Sequence, residues 1–233
     1  MTAQEVERAD GPIFPWPEQS YAGKRALDVA FALVALLLAS PVMLLVALAV
    51  KLTSSGPILY RGERVGLAGR TFKQLKFRSM THGAGGGIST GPTDRRVTTV
   101  GTLLRFTKLD ELPQFINVLR GEMSIVGPRP EEVSIVKDFY THDQLRVLSV
   151  RPGLTSSFDL RFLLDFYDEI PPNTDPDQYY CSVLLPLRRK MDLEYVERMS
   201  MWLDTKLILQ TAYSVLIKNW WIVLRRRMAA KVH

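Results

Sequence analysis

Two adjacent carboxylates, Asp110 and Glu111, follow a pair of cations, Arg105 and Lys108, that lie three residues apart on one helical face. A carboxylate among guanidinium and ammonium groups stays ionised at neutral pH. It can then attack an electrophilic phosphorus or hold Mg²⁺. The spacing predicts a helix that starts near Asp110 and runs to Leu119, with Asp110 as its N-cap and Pro113 in its first turn, where proline is tolerated. Both side chains would then sit at the positive end of a helix, where free amides and the dipole favour an anion such as a phosphoryl group. Asp and Glu are also ordinary residues for a helix start, so the pair alone does not assign the chemistry.

Arg129 lies in Gly127-Pro128-Arg129-Pro130, where two prolines fix the backbone and present one guanidinium rigidly. A guanidinium matches phosphate with paired donors. Lys76 and Arg78 flank Phe77 in a segment that alternates like a strand, so they are expected to point to one side. There they could line an anion site or form a solvated strand face.

These residues need elements to hold them. Residues 1–22 are polar and read as a poorly ordered leader. Residues 29–50 carry no charge, enough to span a hydrocarbon core as a helix and too long for a good signal peptide. Ser40-Pro41 sits in the middle of that run, where proline removes a backbone donor and a neighbouring serine can satisfy the freed carbonyl. Lys24 and Arg25 precede the run; Lys51, Arg61, Arg64, Arg70, Lys73, Lys76 and Arg78 follow it against Glu63 alone. Positive flanks belong on the cytoplasmic side. Both ends being positive fits a helix that enters, bends at Ser40-Pro41 and returns, while a tilted span with a proline kink fits the apolar length equally well.

Short strands are expected in 58–60 and 72–77, with Gly62, Gly66 and Gly69 as turn formers, and a glycine-rich loop over 81–93 that lacks the Gly-Lys-Ser/Thr of a P-loop. Helices follow over 100–108, 110–119 and from Pro130 to about Val150. A long helical stretch runs from Leu193 to Leu224, with Val196, Met199, Leu203 and Leu207 on one face. Trp220-Trp221 beside Arg225-Arg226-Arg227 suits a membrane interface. The formal charge of +6 suggests an anionic partner: nucleic acid, anionic lipid or a phosphorylated substrate. A single cysteine, Cys181, rules out an internal disulfide framework, and with His82, His142 and His233 far apart a zinc site is not expected.

Taken together, the motifs resemble those of the bacterial monotopic phosphoglycosyl transferases. The resemblance rests on Lys24-Arg25-Ala26-Leu27-Asp28, the apolar run with Ser40-Pro41, Gly56-Pro57-Ile58-Leu59-Tyr60-Arg61, Leu75-Lys76-Phe77-Arg78-Ser79-Met80 and Asp94-Arg95-Arg96-Val97-Thr98. It continues through Gly101-Thr102-Leu103-Leu104-Arg105, Lys108-Leu109-Asp110-Glu111-Leu112-Pro113-Gln114, Asn117-Val118, Gly121-Glu122-Met123-Ser124, the segment around Arg129, and Arg151-Pro152-Gly153-Leu154-Thr155. Tyr195 and Asp204 fit the family's helical tail more loosely. No single motif decides the match; the ordered set is specific.

What the resemblance implies is a membrane-associated, α-rich α+β fold. A re-entrant membrane helix over 23–52 is broken at Ser40-Pro41, a small cytoplasmic catalytic domain covers 53–190, and amphipathic interfacial helices with a basic tail cover 191–233. It implies transfer of a sugar-1-phosphate from a UDP-sugar to polyprenyl (undecaprenyl) phosphate, with release of UMP, at the cytoplasmic face of the bacterial inner membrane. Asp110 matches the nucleophile that forms a covalent phosphosugar, and Glu111 assists as base or metal ligand. Mg²⁺ lies near Asp110 and neutralises the diphosphate. Arg105 and Arg129 match arginines near phosphate or nucleotide, and Lys76 and Arg78 are expected to bind substrate. Ser156-Ser157-Phe158-Asp159-Leu160-Arg161 departs from the family pattern; Arg161 is the candidate substrate arginine there, and the sugar is left open. Membrane lipids are expected partners and nucleic acid is not, since no nucleic-acid module is present. Homo-oligomerisation is open. The competing reading from another class is a non-catalytic basic membrane anchor or scaffold.

Overall fold

The uncharged run folds as one helix, α1 (Lys24–Thr53), in a computed structural model that describes residues 15–85, 94–162 and 174–215. Its 30 residues give a length of ~45 Å, more than a hydrocarbon core requires. Pro41 lies inside α1 and cannot donate to the carbonyl of Leu37, four residues back; the Ser40 hydroxyl donates to that carbonyl at 2.9 Å. The backbone is helical through Ser40-Pro41, so the pair is not an end of secondary structure.

The middle of α1 is bare and its ends are not. Leu37, Leu38, Leu44 and Leu45 are exposed. Toward the N-terminus, Ala32, Ala35 and Leu36 pack with Phe115, Val118, Met123, Tyr195 and Leu207; toward the C-terminus, Met43, Val46, Ala47 and Val50 pack with Phe77, Val100, Leu104 and Leu109. Leu112 touches both clusters. One body therefore grips both halves of the helix.

That body contains two small sheets. β1 (Leu59–Val65) and β2 (Thr71–Phe77) form an antiparallel ribbon with Leu59 opposite Phe77 and Val65 opposite Thr71. The expected alternation is present; Gly62 lies within β1 instead of in a turn, and the turn holds Ala68 at φ +53° and Gly69 at φ +75°. β3 (Ser124–Val126) and β4 (Gly153–Thr155) pair in parallel. Their approach needs two glycines: a Cβ on Gly127 would lie 2.5 Å from the Arg151 carbonyl oxygen, and one on Gly153 would overlap the Gly127 amide.

Between the sheets run α2 (Thr99–Thr107), capped by the Thr98 hydroxyl, which accepts from Gly101 N at 2.9 Å, and α3 (Gln114–Arg120). The crossover from β3 to β4 holds α4 (Val133–Phe139) and a 3₁₀ segment, Asp143–Ser149, where one helix to Val150 was expected. Next come α5 (Ser157–Phe162), α6 (Pro176–Tyr179), a π segment Tyr180–Leu184, α7 (Leu185–Arg198) and α8 (Met201–Tyr213). The single long helix expected from Leu193 is thus two: Met199 leaves helical geometry, and the Ser200 hydroxyl caps α8 by accepting from Leu203 N at 3.3 Å. Leader residues 1–14, loop residues 86–93, Trp220-Trp221 and Arg225–Arg227 lie outside the described residues.

The start of α1 is anchored by charge. Lys24 donates to Val126 O at 3.0 Å and pairs with Asp204, whose carboxylate also accepts from the hydroxyls of Tyr21 at 2.9 Å and Tyr195 at 2.8 Å. Asp28 accepts from the Ser124 hydroxyl and from Ile125 N, both at 2.9 Å. Arg25 donates to the carbonyls of Val118 and Leu119, the last turn of α3.

Candidate active site

Asp110 and Glu111 do not start a helix. Lys108 takes a left-handed conformation, φ +60°, and closes α2. A 3₁₀ turn, Leu109–Glu111, follows, with Glu111 N donating to Lys108 O at 3.1 Å. Pro113, which has no N–H, occupies the position before α3, and no side chain caps that helix. The N-cap reading of Asp110 is therefore corrected, and α3, with seven residues, supplies no helix-end anion site to the pair. Charge and burial set the site instead.

α3 is laid on β2 by its own side chains. Asn117 accepts from Leu75 N at 3.0 Å and donates to Lys73 O at 2.9 Å, and Gln114 accepts from the Gln74 amide at 2.9 Å. Gln74 and Lys76 lie two apart on one face of β2, so this register carries Lys76 to the acidic pair. Lys76 donates to Glu111 Oε1 at 2.9 Å, and Arg129 donates to the same oxygen at 3.0 Å. Asp110 is 6% exposed, and its Oδ1 is buried with no hydrogen-bond partner among the described residues.

The two carboxyl groups are held apart in acidity. Burial, reinforced by the negative charge of Glu111, pushes Asp110 up to about 6, against the pull of Lys76, Lys108 and Arg105. Burial acts to raise Glu111 too, but Lys76, Arg129 and Lys108 outweigh it and hold that carboxyl well below its usual range. Lys76 is itself lowered, chiefly by burial.

The other expected residues divide. Arg105 stands in the last turn of α2 and its charge reaches both Asp110 and Asp94, the latter gripped by Arg96 through Nε at 2.9 Å and Nη2 at 2.6 Å. Arg78 does not join Lys76. β2 ends at Phe77, and the Arg78 guanidinium turns to the C-terminus of α1, donating to Ser54 O and Oγ at 2.7 Å, to Val50 O at 3.4 Å and to Pro57 O. Unpaired carbonyls at a helix end attract such a cation, so the structure corrects its expected place in the site. Arg161 lies in α5 by its backbone, and its side chain is outside the described residues.

The donor set fits Mg²⁺ in one way. Among the described residues no three carboxylate, histidine or cysteine groups converge. Mg²⁺ bound to substrate phosphates needs one or two carboxylates and keeps waters for the rest, and Asp110 Oδ1, without a hydrogen-bond partner among the described residues, would be the atom to hold it. Sequence reasoning overlooked Glu131 and Arg188, which pair at 2.6 Å beneath Arg129. Nothing in their spacing signals the contact.

Comparison with known proteins gives the family. The family described as bacterial sugar transferase matches residues 19–218. The chain is 38% identical over 218 residues to a UDP-glucose:undecaprenyl-phosphate glucose-1-phosphate transferase of Escherichia coli (strain K12), covering 89% of this chain and 44% of that protein. It is 33% identical over 214 residues to a UDP-N-acetylgalactosamine-undecaprenyl-phosphate N-acetylgalactosaminephosphotransferase of Aeromonas hydrophila, covering 88% and 46%. Against an exopolysaccharide production protein of Rhizobium leguminosarum bv. phaseoli it is 34% identical over 204 residues, covering 84% and 96%. The chain thus spans less than half the length of the first two and nearly all of the third.

Proposed function

The chain belongs to the bacterial sugar transferase family, and from that premise we propose that it transfers a sugar-1-phosphate from a UDP-sugar to undecaprenyl phosphate, with release of UMP, at the cytoplasmic face of the inner membrane. The observation that carries the reading is the buried oxygen of Asp110, without a hydrogen-bond partner among the described residues, beside a Glu111 paired with Lys76 and Arg129. A basic scaffold has no use for such an atom, since a buried acceptor without a donor costs stability.

In the proposed reaction an Asp110 oxygen attacks the phosphorus that bears the sugar. The bond from that phosphorus to the bridging oxygen breaks, and UMP leaves with the electron pair. The product is an aspartyl phosphosugar. An oxygen of undecaprenyl phosphate then attacks the same phosphorus, expels the Asp110 carboxylate and forms the lipid diphosphate sugar. Lys76 and Arg129 both donate to Glu111 Oε1, and their positive charge, with that of Arg105, would stabilise the phosphoryl oxygens. Mg²⁺, held through Asp110 and the diphosphate, would supply further charge neutralisation. Fixing Lys76 and Arg129 is the role that Glu111 plays in this geometry.

The grip of one body on both halves of α1 supports a re-entrant helix, whose two ends share one side of the membrane. Leu109 and Leu112, which flank the carboxylate pair, pack in the cluster around the C-terminal half of α1. A lipid phosphate at the membrane surface is then within reach of Asp110.

The relatives act on different sugars by name, so the test is a panel. UMP release from UDP-glucose, UDP-N-acetylgalactosamine and other UDP-sugars is measured in detergent with undecaprenyl phosphate and Mg²⁺. Release is expected with at least one donor and is lost in Asp110→Asn or on chelation by EDTA. An active Asp110→Asn enzyme would overturn the covalent assignment.

A further inference from the structure

Arg129 is held at its side chain by Glu111 and at its backbone by something else. The segment Gly127–Glu131 is pinned on three sides. Gly153 N donates to Pro128 O at 2.7 Å from β4, and Val65 N donates to Glu131 O at 2.9 Å from the end of β1. From α7, Arg188 donates to the carbonyl of Arg129 itself. Arg188 is 4% exposed, and its other arm donates to Glu131 Oε2 at 2.6 Å and to the Tyr180 hydroxyl at 2.5 Å, while its Nε faces Asp192 at 3.6 Å. Tyr180 in turn donates to Glu131 Oε2 at 2.5 Å.

A buried ion pair of this kind is weak evidence for stability, because desolvation offsets its attraction. Its geometry has a different consequence. A guanidinium is a rigid planar fork. With one arm fixed by Glu131 and Tyr180, the other arm fixes the Arg129 carbonyl, and the Arg129 side chain leaves from that same residue toward Glu111. Resting on the transferase reading, we propose that Arg188 on α7 and Glu131 are positioning residues: a buried bracket that holds Arg129 against Glu111 and so sets where its positive charge lies beside the acidic pair. The bracket connects a C-terminal helix, more than fifty residues away in sequence by the separation of 57 between Arg188 and Glu131, to the catalytic pair.

The neighbouring arginine provides a matched control. Arg189 is also buried and also donates to a backbone carbonyl, that of Phe139 at 2.7 Å, which does not lead to the site. Arg188→Lys keeps the charge opposite Glu131 but replaces the fork with a point ammonium; Arg189→Lys makes the same change one residue on. Three quantities are read in the full chain in detergent: melting temperature, kcat for UMP release, and the ¹⁵Nε resonance of Arg129, assigned by its disappearance in Arg129→Lys. Both variants are expected to lose similar thermal stability. Arg188→Lys alone is expected to lose roughly tenfold to a hundredfold in kcat, the scale of a small misplacement at a reacting centre, and to move the Arg129 resonance. If the two variants lose activity alike, in step with stability, or if Arg188→Lys leaves kcat and the resonance unchanged, the bracket is structural only. If Arg188→Lys does not fold, Glu131→Gln, which keeps shape and the backbone bond from Val65, carries the same expectation at smaller size. A wild type silent with every donor counts against the transferase reading alone, and the Arg129 resonance then decides the bracket.

Discussion

Two of the buried charge clusters, the anchor of α1 and the acidic pair, are built to different standards. At the start of α1, Lys24, Asp28 and Asp204 are all inside, and every one of their buried polar atoms has a partner among the described residues. At the acidic pair, Glu111 is doubly paired while Asp110 keeps a bare Oδ1, and Gln114 Nε2 one turn on is also unmatched. A fully satisfied network fixes one arrangement and does nothing else. A half-satisfied one persists against its cost where a ligand completes it. The contrast separates anchor from chemistry more cleanly than charge or burial, which the two clusters share.

Replacing Asp110 should therefore improve the fold and destroy the function. Asp110→Asn is expected to lower UMP release at least about a thousandfold, as removal of a nucleophile does, and to raise the melting temperature at pH 7. The sign follows from the raised pKa. With a folded value near 6 against an ordinary value of 3.8, protonated Asp110 stabilises the fold fully below pH ~4, and this contribution disappears as pH rises through 6. The wild type should lose stability between pH 4 and 6 by an amount on the order of 2 kcal/mol that Asp110→Asn does not lose. Melting curves of both proteins across that window decide it; parallel curves would mean that Asp110 is not strained. The anchor should behave oppositely. Lys24→Met leaves Asp204 buried and unpaired and is expected to cost roughly 3–5 kcal/mol, read as a fall in the denaturation midpoint. Any Lys24→Met protein that stays folded should turn over normally, because the bonds of Lys24 and Asp204 go to Val126 O, Tyr21, Tyr195 and each other and not to the acidic pair.

How much of this was legible in the sequence depended on how local each signal was. The strands of the β1–β2 ribbon were expected from alternation at 58–60 and 72–77, and a short helix was expected over 100–108, where α2 lies. Asp110 and Glu111 were found by type and charge, yet the helix start assigned to them was not there, because a non-glycine residue, Lys108, adopts the left-handed conformation that closes α2. Arg78 was misplaced for a related reason: alternation holds only inside a strand, and β2 stops one residue earlier. The split between α7 and α8 turned on a serine cap that periodicity does not weigh against an unbroken apolar face. Arg188 and Glu131 gave no sign at all, since a contact across 57 residues between common charged types has no sequence signature. Residue type and charge picked the candidates, and the geometry that joins them was not legible.

Smaller changes test the same contrast within one cluster and then in the membrane segment. Glu111→Gln keeps an acceptor oxygen but removes the negative charge that Lys76 and Arg129 share. Their side chains are 19% and 28% exposed, so solvent screens part of the repulsion. A loss of about 1–2 kcal/mol is expected, with a fall in kcat larger than that loss of folded protein explains; a rise in melting temperature would make Glu111 a second strained carboxylate and break the asymmetry of the pair. Ser40→Ala should have the least effect. It removes the hydroxyl that stands in for the donor missing at Pro41 and leaves the Leu37 carbonyl bare. One such bond contributes about 1 kcal/mol, and bilayer hydrocarbon offers no water to replace it. The expected result is a small drop in melting temperature in lipid nanodiscs, absent in Ser40→Thr, which keeps the hydroxyl. If Ser40→Ala instead abolishes membrane insertion, the Ser-Pro pair sets the path of α1 through the bilayer and does more than repair its backbone.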